Sequence, residues 1–284
     1  MAIGDTIKIA ICNETFQGWP IEKIFGYVAQ LGYDGVEIAP LTLGGSISEI
    51  SQQRRTDIRQ AAEKSGVEII GLHSVLKKPE GLSLNHPDEG IRIQTQENIK
   101  ASIHLCADLG GKMLNLGFSR QIAIQEGWGY DESWKRTRDT FERCLETARE
   151  RGVTCCFEPV KRTLNNFINK VDDALRFIRE INHPNLKMTF DSRSLSVEEA
   201  SLTDALCRAI QSGYLGHVHV NDTNGRGPGF GKLKFVPLLK TLVDNGYRDY
   251  ISIEVFLFDP DPQTIASRSI GYLKGILETL GEEE

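Results

Sequence analysis

The sequence lacks any apolar run near the roughly 18 residues that cross a bilayer. Its opening, Met1-Ala2-Ile3-Gly4-Asp5, carries neither the charged nor the apolar region of a signal peptide. Positive charge is not in excess either. The 33 Lys and Arg stand against 39 Asp and Glu, a net charge of −6. General nucleic-acid binders need clustered cations to neutralise phosphates, so that class and a membrane role are both set aside. Cysteine is sparse, and none of the six forms a Cys-x-x-Cys pair. Most fall within apolar strand or helix patterns, so they read as reduced core residues of a cytoplasmic protein. No Gly-x-Gly-x-x-Gly follows the first strand, which removes the main support for a dinucleotide fold. No Gly-Lys-Ser/Thr occurs, so there is no P-loop.

A recurring unit is present instead. Amphipathic helices stop at Gly32, Gly66, Gly110, Gly152, Gly213 and Gly246, and a strand begins a few residues after each. Glycine is favoured there because a helix commonly ends in the left-handed region, where a Cβ is costly. The pattern predicts strands at Ile7–Cys12, 35–38, 67–72, 112–116, 153–158, 186–191, 215–219 and 250–256. The helices that follow are expected after Pro20, from Ser46-Ile47-Ser48-Glu49 to about Ser65, and over 91–109, 131–151, 171–180, 197–212, 235–245 and 262–280. Ser46 with Glu49 has the form of a capping box that would start the second of these helices. Eight strands alternating with eight helices, with no linker or shift in composition, predict one (β/α)8 barrel over 1–284, with 281–284 as a disordered tail.

The last four strands share one feature. Each ends at or near a residue that can bind a metal or carry a proton: Glu158, Asp191, His219 and Glu254. In a parallel barrel these ends meet at one mouth, where such folds place their chemistry. Three carboxylates with one imidazole suit Mn²⁺, Mg²⁺ or Co²⁺ better than structural zinc, with Zn²⁺ left open. Glu37 and His73 close strands two and three and could face substrate hydroxyls. Trp19 and Phe16 follow strand one and could wall a pocket. His217 points to the same side as His219 but lies deeper, which suits a supporting role. Gly225 to Gly231, with Arg226, Lys232 and Lys234, could hold a phosphate through backbone amides.

Several stretches together resemble a known family. These are Gly81-Leu-Ser-Leu-Asn-His-Pro-Asp, Phe157-Glu-Pro-Val-Lys-Arg162, Asn166-Phe-Ile-Asn, Val171-Asp-Asp-Ala-Leu, Val197-Glu-Glu, His217-Val-His-Val-Asn-Asp and Pro228-Gly-Phe-Gly231. In order and spacing the chain resembles the xylose isomerase-like barrels, and within them the ketose 3-epimerases (tagatose or allulose epimerase, ketogluconate epimerase). The resemblance implies that Glu158, Asp191, His219 and Glu254 bind one divalent metal ion and that Glu158 and Glu254 form the acid/base pair. It implies a small sugar-like substrate, and a homo-oligomer, dimer or tetramer, as many relatives form.

The chain also departs from that family. Leu164 stands where the epimerases carry a second glutamate, Ser194 where they carry a histidine, and Gly225, with Arg226 beside it, where they carry an arginine. All three family residues contact substrate, so related chemistry on a different substrate is expected, with Ser194, Arg226 and Arg162 as candidate contacts. A metal-dependent dehydratase of the inosose or dehydroshikimate type and a catalytically silent sugar-binding barrel stay open as alternatives. An endonuclease-IV-type repair enzyme would need further histidines where this chain has Asn115 and Ser194.

Overall fold

The computed structural model describes residues 7–44, 46–117 and 120–281. Eight parallel strands close into a barrel in chain order: β1 (Lys8–Cys12), β2 (Gly35–Ile38), β3 (Glu68–Leu72), β4 (Met113–Gly117), β5 (Thr154–Glu158), β6 (Leu186–Asp191), β7 (Leu215–Val220) and β8 (Tyr250–Ile253). Around it lie α1 (Ile21–Leu31), α2 (Gln52–Ser65), α3 (Glu89–Asp108), α4 (Tyr130–Arg151), α5 (Val171–Ile181), α6 (Ser192–Glu198), α7 (Leu202–Gln211), α8 (Phe235–Asp244) and α9 (Pro262–Gly281). The fold is therefore a (β/α)8 barrel, as the glycine-punctuated pattern predicts. All six helix-stopping glycines have positive φ, from 64° to 90°. Among the described residues, no helix is long and apolar enough to cross a membrane.

Alternation along the strands sorts the side chains. Ile9, Ile11, Val36, Ile38, Cys155, Phe157, Val218, Val220, Ile251 and Ile253 pack outward into the main apolar core beneath the helices. The intervening positions face the barrel axis. Low in the barrel these are apolar or small: Ala10, Ile70, Met113, Cys156 and Tyr250 form their own cluster. Higher up the axis turns polar, with Glu37, Asn115, Thr189, Asp191, His217, His219 and Ser252 all buried. The sequence thus builds an apolar floor and a charged mouth.

Two expected elements differ. The Ser46/Glu49 capping box forms, but it closes only the short 3-10 turn Ile47–Glu49. Helix α2 starts later, with Ser51 accepting from the amide of Arg54. The single helix expected over 197–212 is two. Asp191 caps α6 directly after β6, and Ser201 caps α7 by accepting from the amide of Asp204. Of the expected tail, Gly281 ends α9 and 282–284 lie outside the described residues.

Candidate active site

The carboxyl ends of β5, β6, β7 and β8 bring Glu158, Asp191, His219 and Glu254 together, each with one ligand atom within 4.8 Å of the others. All four are buried. His219 Nδ1 lies 3.3 Å from Glu254 Oε2 and 3.9 Å from Glu158 Oε1. His219 Nδ1 and Glu254 Oε2 have no hydrogen-bond partner, although both are buried. An unpartnered buried polar atom is costly, so this pair fits a cation better than an empty core. The donor set is that of an oxygen-preferring divalent ion with one nitrogen ligand.

Each candidate ligand is held from behind. Glu37, at the end of β2, accepts from His219 Nε2 at 3.0 Å and from His217 Nε2 at 3.1 Å. This fixes the His219 ring so that Nδ1 faces the carboxylates. Asn115 on β4 donates to Glu158 Oε2 at 2.7 Å and accepts from Thr189 Oγ1 at 2.7 Å. Asn221 donates to Asp191 Oδ2 at 2.8 Å, while the amide of Ser194 donates to Asp191 Oδ1 at 2.6 Å. His73 Nδ1 stands 3.5 Å from Glu254 Oε1 and 3.6 Å from Glu14 Oε2. Gly117 ends β4 against Glu158, where a Cβ would overlap Oε2 of that carboxylate.

Burial and charge divide the carboxyls. Burial drives Glu158 well above the ordinary carboxylate range, with nearby Glu254 and Asp191 adding to the effect and His219 opposing it. Asp191 is raised for the same reason, burial first and then Glu254. Burial also acts to raise Glu254, but His219 and His73 prevail and hold it low. Burial would likewise lower His219, yet Glu37 and Glu254 keep its pKa raised. Glu37 is held well below its usual range, because the two histidines outweigh burial. The surroundings therefore push the two glutamates in opposite directions, Glu158 towards its protonated form and Glu254 towards its ionised one.

The other sequence candidates are placed differently. Glu37 is wholly buried beneath His219, so it braces that imidazole and faces no open space. His73 is likewise buried and reaches Glu254, not open space. The Arg162 side chain is 68% exposed and pairs with Glu198, 3.6 Å away, which takes it off the site carboxylates. Arg226 pairs with Asp259 outside the cavity. Ser194 lines that cavity, of about 330 Å³, with Glu158, Glu254, Leu164 and Phe256. Trp19 lines an adjoining cleft against Phe16. In the 225–231 loop, the amides of Lys232 and Leu233 just beyond it donate to Asp222 Oδ1, which orders the turn internally. Glu14, Asn115 and Gly117 were not singled out as site residues. Asn115 and Gly117 alternate inward on β4, a position the strand pattern alone could have flagged.

Comparison with known proteins agrees with this geometry. A sequence model described as the xylose isomerase-like TIM barrel matches residues 25–276. D-psicose 3-epimerase of Ruminiclostridium cellulolyticum is 26% identical over 239 residues, covering 81% of this chain and 76% of that protein. 3-Dehydro-D-guloside 4-epimerase of Escherichia coli is 24% identical over 282 residues, covering 94% and 99%. Among solved structures, an L-ribulose 3-epimerase superposes with a TM-score of 0.86 at 21% identity, covering 98% of this chain and 97% of that one. At that identity the structural likeness bears on the fold.

Proposed function

This chain belongs to the xylose isomerase-like TIM barrel family, and we propose on that premise that it is a divalent-metal-dependent epimerase or isomerase of keto-sugars. The observation that carries the proposal is the pair Glu158 and Glu254. They belong to one buried donor cluster, and their surroundings shift their pKa values in opposite directions. Two titratable groups pushed apart in this way supply an acid and a base in one site. The names of the relatives, epimerases acting on D-psicose and 3-dehydro-D-guloside, support the same class.

Glu158, Asp191, His219 and Glu254 would hold the ion, for which Mn²⁺, Mg²⁺ or Co²⁺ suits the donors. A bound divalent ion supplies Lewis acidity, stabilising negative charge that develops on a substrate oxygen. The remaining work belongs to the chain. Glu254, ionised and steadied by His73, is placed to remove a proton from the carbon beside the carbonyl. Glu158, held by Asn115, is placed to return one from the other side. Removal and return at one carbon invert it, whereas return at the neighbouring carbon exchanges ketose and aldose. Burial of both carboxylates excludes the water that would otherwise compete for those protons. The six unpaired cysteines suit a reducing compartment such as the cytoplasm.

The test is deuterium exchange. Mn²⁺-loaded protein in D₂O is offered ketoses, keto-glycosides, ketose phosphates and inososes, with Glu254→Gln as the control. Deuterium on a carbon beside the carbonyl, in a sugar recovered as its epimer or aldose and absent with the variant, is the expected result. A product that has lost water would replace the proposal with a dehydratase. Tight metal binding with no exchange on any substrate would leave a binding protein.

A further inference from the structure

The catalytic cavity does not stand alone. A second cleft, of about 520 Å³, opens beside it, and Glu14 and Gln17 line both. Its walls come from the loop after β1 and the turn after β2. They are pinned together by Asn13, which donates to Thr42 Oγ1 at 2.7 Å and accepts from the amide of Ala39 at 2.8 Å. Gly18, at φ +77°, turns the first loop so that Trp19 follows Phe16 onto the wall, their ring centroids 5.4 Å apart. The cleft is thus a built feature of the fold, continuous with the site.

We propose that this cleft is a second binding subsite, and that the substrate is a keto-sugar bearing a neutral glycosidic second unit whose ring lies against Trp19 and Leu41. The inference deepens the epimerase reading and rests on it. The lining mixes apolar surfaces with hydrogen-bonding groups. Trp19, Pro20, Ile24 and Leu41 offer apolar contact, while Gln17 and Thr42 offer polar atoms at the exposed edge. A sugar ring has the matching character, apolar across its C–H face and polar around its rim. The lining itself disfavours a phosphate or a carboxylate as the second unit. Among the described residues no cation lines the cleft. Lys77 is engaged with Glu14 at 3.0 Å, and Lys23 lies over the Trp19 ring at 3.4 Å. The Glu14–Lys77 pair at the junction supplies no net positive charge to draw an anion between the two compartments.

The experiment compares matched sugars with Mn²⁺-loaded protein in D₂O. D-fructose is set against its glucosyl ketoses leucrose and isomaltulose, and methyl 3-keto-glucoside against 3-keto-cellobiose. The expected result is kcat/KM for exchange at least tenfold higher for one two-unit sugar than for its single-unit counterpart. Leu41→Trp, which fills the cleft, should cut that ratio at least fivefold. A second measurement needs no turnover. The same two-unit sugars are titrated into Glu254→Gln protein while tryptophan fluorescence is followed, with Trp19→Phe in the same background as the control. A saturable change that Trp19→Phe abolishes is expected. Equal or faster exchange with the single sugars, a ratio insensitive to Leu41→Trp, or no Trp19-dependent change would each overturn the subsite. Exchange on single sugars without that change would leave the epimerase reading standing. The fluorescence change without exchange on any sugar would sink the epimerase reading and keep the subsite.

Discussion

Glu37→Gln tests the claim that the carboxylate behind His219 governs binding at the proposed metal site. Glu37 accepts from both His219 Nε2 and His217 Nε2 in a wholly buried position. The amide is nearly isosteric but uncharged, so two charge-assisted hydrogen bonds become ordinary ones. Charge-assisted bonds contribute about 1.5–3 kcal/mol each and neutral ones about 1, so the metal-free protein should lose roughly 1–4 kcal/mol. For a chain of this size each kcal/mol corresponds to about 2–4 °C in Tm. Removing the partner that orients a ligating histidine typically costs about 10–100-fold in metal affinity, or roughly 1.4–2.7 kcal/mol. One effect opposes this. Glu37 also raises the His219 pKa, so the substitution lowers it and weakens proton competition at Nδ1. That compensation fades once pH exceeds the wild-type value, because His219 is then already neutral in both proteins. The loss should therefore be larger at pH 8.5 than at pH 6.5. Calorimetric titration with Mn²⁺ at both values reads the difference, and thermal melts read the apo stability. Affinity within twofold of wild type at both values, with an unchanged apo Tm, would refute the bracing role.

Three further outcomes follow from the same geometry. Glu158 and His219 both have raised pKa values, Glu158 chiefly through burial and His219 through Glu37 and Glu254 acting against burial, so each keeps its proton to a higher pH in the metal-free site than the free side chain would. Metal binding must displace those protons, so affinity should rise with pH by up to about tenfold per unit for each proton released, then flatten above the folded pKa values. Titrations in buffers of different ionisation heat count those protons, and a pH-independent affinity would contradict the assignment. Glu158→Gln and Glu254→Gln should each lower kcat by about 10²–10⁴-fold, the range for a positioned proton-transfer group. Exchange into the carbon-bound position should fall with it, whereas unchanged exchange would acquit either residue. Gly117→Ala places a methyl on Glu158 Oε2 and should displace that carboxylate. A displacement near 1 Å costs about 10²-fold in turnover. Metal titration and kinetics on a variant with wild-type Tm would show whether the close approach matters.

What local pattern could reveal was the scaffold and the ends of its strands. Six glycines mark six left-handed helix ends, because backbone conformation is a local property. Glu158, Asp191, His219 and Glu254 were legible for the same reason: each closes an apolar alternating run, and a parallel barrel sends all such ends to one mouth. The misplacements share the opposite cause. Glu37 pairs with residues 180 and 182 positions away, across the barrel axis, and a register shift between Val36 and Glu37 sets the depth at which it meets them. No window of sequence contains that encounter. Arg162 and Arg226 follow strand ends closely, but they sit on loops, where no period fixes the direction of a side chain, and each pairs with an acid outside the strand-end cluster, Glu198 and Asp259. Asn115 shows the limit most clearly. In sequence it counted only as an absent histidine, an argument against another chemistry. In the fold the same amide donates to Glu158 Oε2 and so leaves Oε1 as the oxygen turned towards His219. A strand pattern can say that a side chain points inward. Only the closed barrel says what it meets there, and that meeting decides the chemistry.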